Sequence, residues 1–91
     1  MAMTTPLRVG VVGGGAIGAV ICRALDDGTV AAKLVGLCEV DEQRAAQLVG
    51  SLQQPVPVLS LEALADAADL VVEAVGKSAV RASTTKSSEF G

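Results

Sequence analysis

The stretch VGVVGGGAIG, residues 9 to 18, leaves this chain few folds to choose from. An apolar, β-branched run from Leu7 to Val12 reads as a buried strand and stops at glycines. From Ala16 the period changes. Ile17, Val20, Ile21, Ala24 and Leu25 recur at i, i+3, i+4, i+7 and i+8, which is one face of a helix. Gly13, Gly15 and Gly18 stand between the two at G-x-G-x-x-G spacing. The spacing alone is weak, but a strand before it and a helix after it give it meaning. In that setting Gly13 permits a tight turn, Gly15 lets a pyrophosphate approach the backbone, and Gly18 lets the helix pack closely on the strand. The amides near Ala16 and Ile17, with the helix dipole behind them, would bind the phosphate charge. A purely structural turn, or a flavin or nucleotide-sugar version of the same fold, is the alternative.

The rest of the chain continues the alternation. Asp26, Asp27 and Gly28 end the first helix, with Gly28 as a left-handed cap. Lys33 to Val40 reads as a second strand. Asp41 caps a helix carrying Ala45, Leu48 and Val49, which Gly50 closes. The prolines of PVPVLS confine a third strand, Val56 to Leu59, to a sheet edge. Ser60 caps a short helix, LEALADA. Asp69 to Val75 reads as a fourth strand, and Lys77 to Ala82 as the start of another helix. The order β-α-β-α-β-α-β implies an α/β fold: a partial doubly wound parallel sheet, Rossmann-like, of about four strands in the order 3-2-1-4. That order puts the third strand at an edge, where its prolines are tolerated. Residues 1–6 form a disordered lead-in, 7–82 a dinucleotide-binding domain, and 83–91 a disordered polar tail.

An acid is needed at the end of the second strand, and Glu39 supplies it 21 residues after Gly18. Its carboxylate can accept both hydroxyls of an adenosine ribose, and its charge repels a 2′-phosphate. NAD is therefore the expected cofactor, with NADP left open. Val40 follows Glu39 where an arginine could have paired with that phosphate. Arg44, the nearest cation, reads as solvated on the next helix. Asp41 is a rival ribose partner, assigned here to the helix cap. The fourth strand ends in EAVG, and Ala74 and Val75 would line the crevice beside the cofactor; simple strand-end packing is the alternative. Glu73 reads equally as structural or functional.

Composition narrows the function classes. A net charge of −3 gives no basic footprint for nucleic acid, and one Phe with no Trp or Tyr gives no platform for base stacking. With no histidine, and with Cys22 and Cys38 far apart in apolar surroundings, no zinc site is expected. There is no signal-peptide pattern and no apolar run near the roughly 20 residues of a membrane span, so a cytoplasmic protein without membrane contact is expected. No catalytic residue is assigned.

The segments RVGVVGGGAIGAVICRALDDG, LVGLCEVDEQRAAQL and PVPVLSLEALADAADLVVEAVGKSAVR together resemble the N-terminal half of the L-aspartate dehydrogenases. The resemblance covers roughly residues 7 to 81, and homoserine dehydrogenases and the sugar and bile-pigment oxidoreductases share the half-domain more loosely. It implies NAD- or NADP-linked oxidation of L-aspartate to iminoaspartate, which hydrolyses to oxaloacetate and ammonia. It implies that Gly13, Gly15, Ala16, Ile17 and Gly18 hold the pyrophosphate, Glu39 the ribose, and Ala74 and Val75 the nicotinamide side. Gly14 stands where the family often has cysteine, and Val75-Gly76 replaces its Ala-Ser. The family's catalytic histidine has no counterpart here. The polar tail after Arg81 reads as the end of a truncated or frame-shifted product, inactive by itself. The expected role is thus the dinucleotide-binding part of an aspartate-dehydrogenase-like enzyme; a non-catalytic binding module or a homoserine-dehydrogenase-like half-domain is the alternative. An uncovered fourth strand would expose a sheet edge and favour self-association.

Overall fold

A computed structural model of the chain describes residues 6–74 and the backbone of residues 81–84. In chain order the elements are β1 (Arg8–Val12), α1 (Ala16–Asp26), β2 (Lys33–Cys38), α2 (Glu42–Ser51), α3 (Leu61–Ala67), β3 (Leu70–Glu73) and β4 (Arg81–Thr84). The sheet order is β2-β1-β3-β4. β1 lies parallel to both β2 and β3, and β4 runs antiparallel to β3. The expected α/β architecture is present as a three-stranded parallel sheet in the order 2-1-3 with three helices, a partial Rossmann-like fold.

Alternation along the central strand sorts the core into two layers. Val9 and Val11 point to one face, where they pack with Cys22 and Leu25 of α1 and with Ala45 and Leu48 of α2. Gly10 and Val12 point to the other, where Leu64 of α3, Ala68 and Val71 form a second cluster. β2 keeps to this scheme only by inserting one residue. Val9 pairs with Leu34 but Gly10 pairs with Gly36, so Val35 is an extra residue in the ladder. The shift lets Leu34 and Leu37 both reach the α1–α2 core despite their odd spacing.

On the α3 face the sheet has a socket. Gly10 and Gly36 are cross-strand partners, and the fully buried Leu64 fills the space above both. A Cβ at Gly10 would lie 2.6 Å from Leu64 Cγ, and one at Gly36 2.9 Å from Leu64 Cδ1. Two missing side chains thus let α3 sit down on the strands.

The caps follow from side-chain chemistry. Asp41 accepts from the Arg44 amide at the start of α2, and Ser60 accepts from the Ala63 amide at the start of α3. Gly28, just beyond α1, has φ +86° as a left-handed residue should. Arg8 and Asp69 register the beginnings of β1 and β3 through a forked ion pair, with 2.8 Å from Nη2 to Oδ1 and 3.2 Å from Nε to Oδ2.

Several expectations are corrected. The third strand, Val56 to Leu59, is reduced to a single parallel bridge between Val58 and Leu37. It does lie on the outer edge of β2, where Leu37 N–H donates to the Pro57 carbonyl and Leu59 N–H to the Leu37 carbonyl. Pro55 and Pro57 have no N–H to extend that ladder. Arg81 and Ala82, expected in a helix, and Ser83 and Thr84, expected in the tail, form β4 instead. This strand is short and polar, with no apolar alternation to reveal it. It covers the outer side of β3, so among the described residues β4 forms that edge of the sheet. Gly50 does not close α2, which runs on to Ser51. Residues 1–5, 75–80 and 85–91 lie outside the described residues, and with them fall the rest of the lead-in, the expected helix start and the tail.

Candidate functional site

The carboxyl ends of the three parallel strands open on one side of the sheet, and the glycine turn crosses above them. Gly13 has φ +99°, a conformation that L side chains rarely adopt. Its N–H donates to the Cys38 carbonyl at 2.8 Å, tying the end of β1 to the end of β2. Gly15 is the N-cap of α1. A Cβ there would meet nothing within 4 Å, so the space above it is open. Gly18 is the opposite case. A Cβ there would lie 1.8 Å from the Gly13 carbonyl oxygen and 3.7 Å from the Ala74 Cβ. The first turn of α1 is thus pressed against the glycine loop and the end of β3, and only glycine fits.

Gly15 has no side chain to cap α1, and no acidic residue stands in its first turn. The amides of Ala16 and Ile17 are therefore left for an external acceptor, and the helix dipole favours an anion there. The turn opens on a cavity of about 260 Å³ lined by Val12, Gly13, Gly15, Cys38, Glu39, Val40, Arg44 and Ala74. A larger hollow of about 790 Å³ lies at the other end of the sheet, between Leu25, Lys33 and Pro55. It is remote from the glycine turn and contains none of the residues expected at the site.

Glu39 forms the far wall of the smaller cavity. Its side chain is 6% exposed. Oε1 accepts from the Gly14 amide, and Oε2 accepts from the Asp41 amide at 2.9 Å. Arg44 Nη1 lies 3.8 Å from Oε1. The Asp41 amide does most to hold the carboxyl below its usual range. The Gly14 amide and the Arg44 guanidinium act the same way, against burial and the Asp41 charge. Each carboxylate oxygen has two acceptor sites, so one remains on each after these bonds. An ionised Glu39 can hold the glycine loop and still accept two hydroxyls.

The structure thus brings Gly13, Gly15, Glu39 and Ala74 to one cavity, with Ala16, Ile17 and Gly18 in the helix turn that opens onto it. Ala74 is buried, and its N–H donates to the Val12 carbonyl at 2.8 Å. Val75 lies outside the described residues. Arg44 is exposed, as a solvated cation should be, and it also stands at the cavity rim. The signal was available: with Asp41 as cap, Arg44 is the third residue of α2, one turn from Glu39. Gly14 was also passed over. Its amide anchors Glu39, and a Cβ there would lie 3.1 Å from Oε1. Asp41 is used as the cap of α2.

Residues 13–90 match the family model described as "Homoserine dehydrogenase, NAD binding domain". The chain belongs to this family. It is an NAD-binding domain, which agrees with the α/β dinucleotide-binding fold expected from the sequence. Within that family the chain is similar to curated L-aspartate dehydrogenases. It is 49% identical to that of Methanocella arvoryzae over 74 residues, covering 81% of this chain and 27% of the relative. It is 42% identical to that of Methanosarcina acetivorans over 76 residues, covering 82% of this chain and 28% of the relative. With the Methanosarcina barkeri enzyme it shares 35% over 86 residues, covering 93% and 32%. The chain spans about a quarter to a third of the length of these relatives. Among the described residues no group of acids and cysteines could hold a metal ion, and no helix is long and apolar enough to cross a membrane.

Proposed function

We propose that the cavity binds NAD as the cofactor site of an enzyme that oxidises L-aspartate to iminoaspartate. The observation that carries this reading is the pairing of an uncapped α1 N-terminus with the half-buried, ionised Glu39 across one cavity. Gly13, Gly15, Ala16, Ile17 and Gly18 take the pyrophosphate, Glu39 takes the ribose hydroxyls, and Ala74 lies toward the nicotinamide. When bound, the cofactor supplies a hydride acceptor. The chain's own part is to hold the phosphate charge on backbone amides and to orient the ribose. The substrate assignment comes from the aspartate dehydrogenase relatives. The family description favours a second reading in which the substrate is homoserine. We also place the protein in the cytoplasm, with any self-association running through the sheet edge at β4.

Titration of the 91-residue chain with NADH, followed by calorimetry or by the dinucleotide's own fluorescence, tests the site. Saturable binding that weakens in Glu39→Ala is expected. No binding by a folded chain would refute the reading. Sedimentation reads out self-association.

A further inference from the structure

At the end of the sheet opposite the glycine turn, the chain between α2 and α3 is fastened at two points. Asp26, the last residue of α1, accepts from the Gln53 amide at 2.7 Å and from the Gln54 amide at 3.0 Å. Farther along, Leu37 N–H donates to the Pro57 carbonyl at 3.1 Å and Leu59 N–H to the Leu37 carbonyl at 2.8 Å. Between these anchors the segment stands off from β2, and the gap is the hollow of about 790 Å³. That lies within the roughly 300–1,000 Å³ of pockets that enclose a ligand. Its walls include Leu25, Val30, Leu34, Pro55 and Val56. Val30 is 47% exposed, as is Leu7 at the entry to β1, so apolar surface faces water here. The one carboxylate in the lining, Asp26, already has an amide on each oxygen, and the one cation, Lys33, is exposed. The hollow therefore suits an apolar, uncharged occupant.

The chain itself supplies one. Pro6, the first described residue, is part of the wall. The Leu7 carbonyl accepts from the Lys33 amide at 2.8 Å, which lays the entry of β1 beside the start of β2. Residues 1–5, MAMTT, run directly on from Pro6 and carry no charged side chain. At no more than about 3.6 Å per residue, Met3 lies within about 11 Å of Pro6. Methionine is unbranched and flexible, so it fills irregular apolar gaps. We propose that residues 1–5 fold back into this hollow and that Met3 packs against Val30 and Val56, in place of the disorder expected from their sequence. The segment closes the end of the sheet remote from the glycine turn. It also ties the start of β1 to the proline segment that the two bonds to Leu37 hold against β2.

The test is oxidation of the full chain by hydrogen peroxide, with Met3 sulfoxide followed by mass spectrometry in the folded chain and in urea. Met3 is expected to oxidise at least about threefold more slowly in the folded chain, because packing shields its sulfur. Equal rates overturn the proposal. Methyl-labelled protein reads the contact itself. Nuclear Overhauser effects from the Met3 methyl to the methyls of Val30 or Val56 are expected, and a Met3 methyl without them overturns it. Met3→Asp puts a charge into the apolar hollow and should lower the melting temperature by about 4 °C or more, whereas Met3→Leu should leave it within about 2 °C. A Met3→Asp chain that melts like the wild type overturns the proposal. So does a hollow covered by a second copy, seen in sedimentation as a dimer that Val30→Lys dissociates.

Discussion

One substitution, glycine to alanine, made at two positions of the same motif should have opposite consequences. At Gly15 the added methyl meets no atom within 4 Å, and φ is −73°, open to any L residue. The stability terms are small and opposed. Alanine caps a helix less well than glycine, while removing a glycine restricts the unfolded chain by about 0.4–1 kcal/mol. The melting temperature should stay within a few degrees. The methyl does occupy the space in which a pyrophosphate would meet the α1 amides, so NADH affinity should fall at least about tenfold. At Gly18 the methyl would lie 1.8 Å from a carbonyl oxygen of the backbone. No rotamer relieves that contact, so the cost belongs at or above the top of the roughly 1–3 kcal/mol range for overpacking. Better helix propensity returns about 1 kcal/mol. A net loss of about 2 kcal/mol or more corresponds to at least about 8 °C in melting temperature for a domain of this size. Circular dichroism melts and NADH fluorescence titrations read the two effects separately. A Gly15→Ala chain that binds NADH like the wild type would refute the placement of the pyrophosphate. A Gly18→Ala chain that melts like the wild type would refute the close approach of α1 to the glycine loop.

Leu64→Ala should destabilise the fold by about 2–5 kcal/mol, measured by urea denaturation, because it empties the socket over Gly10 and Gly36. Gly10→Ala should also destabilise the chain, and combining it with Leu64→Ala should cost less than the sum of the two, since the methyl then has room. Cys22 is buried and its thiol is pushed up to about 11 by burial, whereas Cys38 is half-buried at the cavity. Alkylation of the folded chain should therefore modify Cys38 first, and saturating NADH should slow that reaction, as followed by mass spectrometry. The Glu39 carboxyl is held below its ordinary range, so the folded state takes up its proton less readily than the unfolded chain. Its stabilising contribution is fully present above the ordinary glutamate range and is lost as pH falls through the lowered value. Glu39→Gln should flatten the acid side of the melting-temperature profile.

Much of this site was legible because glycine spacing and strand-end position are local properties. A strand, a glycine turn, a helix and an acid at the next strand end form one contiguous stretch of chain, and each piece constrains the next. The caps Asp41 and Ser60 were legible for the same reason. What escaped the sequence depends on contacts between distant segments. Gly10 and Gly36 look like weak points in two strands until Leu64, from a helix far along the chain, is seen to fill both. Val35 reads as one more apolar strand residue, and only the pairing with β1 shows that it is extra. β4 was missed because Arg81–Thr84 carries no apolar pattern and is organised by its neighbour β3. PVPVLS was correctly placed at the edge but credited with a ladder that its prolines cannot make.

Glu39 fastens the glycine loop before any ligand arrives. Its two oxygens take the amides of Gly14 and Asp41, so the turn, the end of β2 and the start of α2 are joined by one carboxylate. The entropy of ordering that loop is spent when the chain folds and is not charged again at binding. Dinucleotide association should then follow a single concentration-dependent step with no slow rearrangement behind it. The loop proposed to receive the cofactor is shaped in advance by the carboxylate proposed to read it.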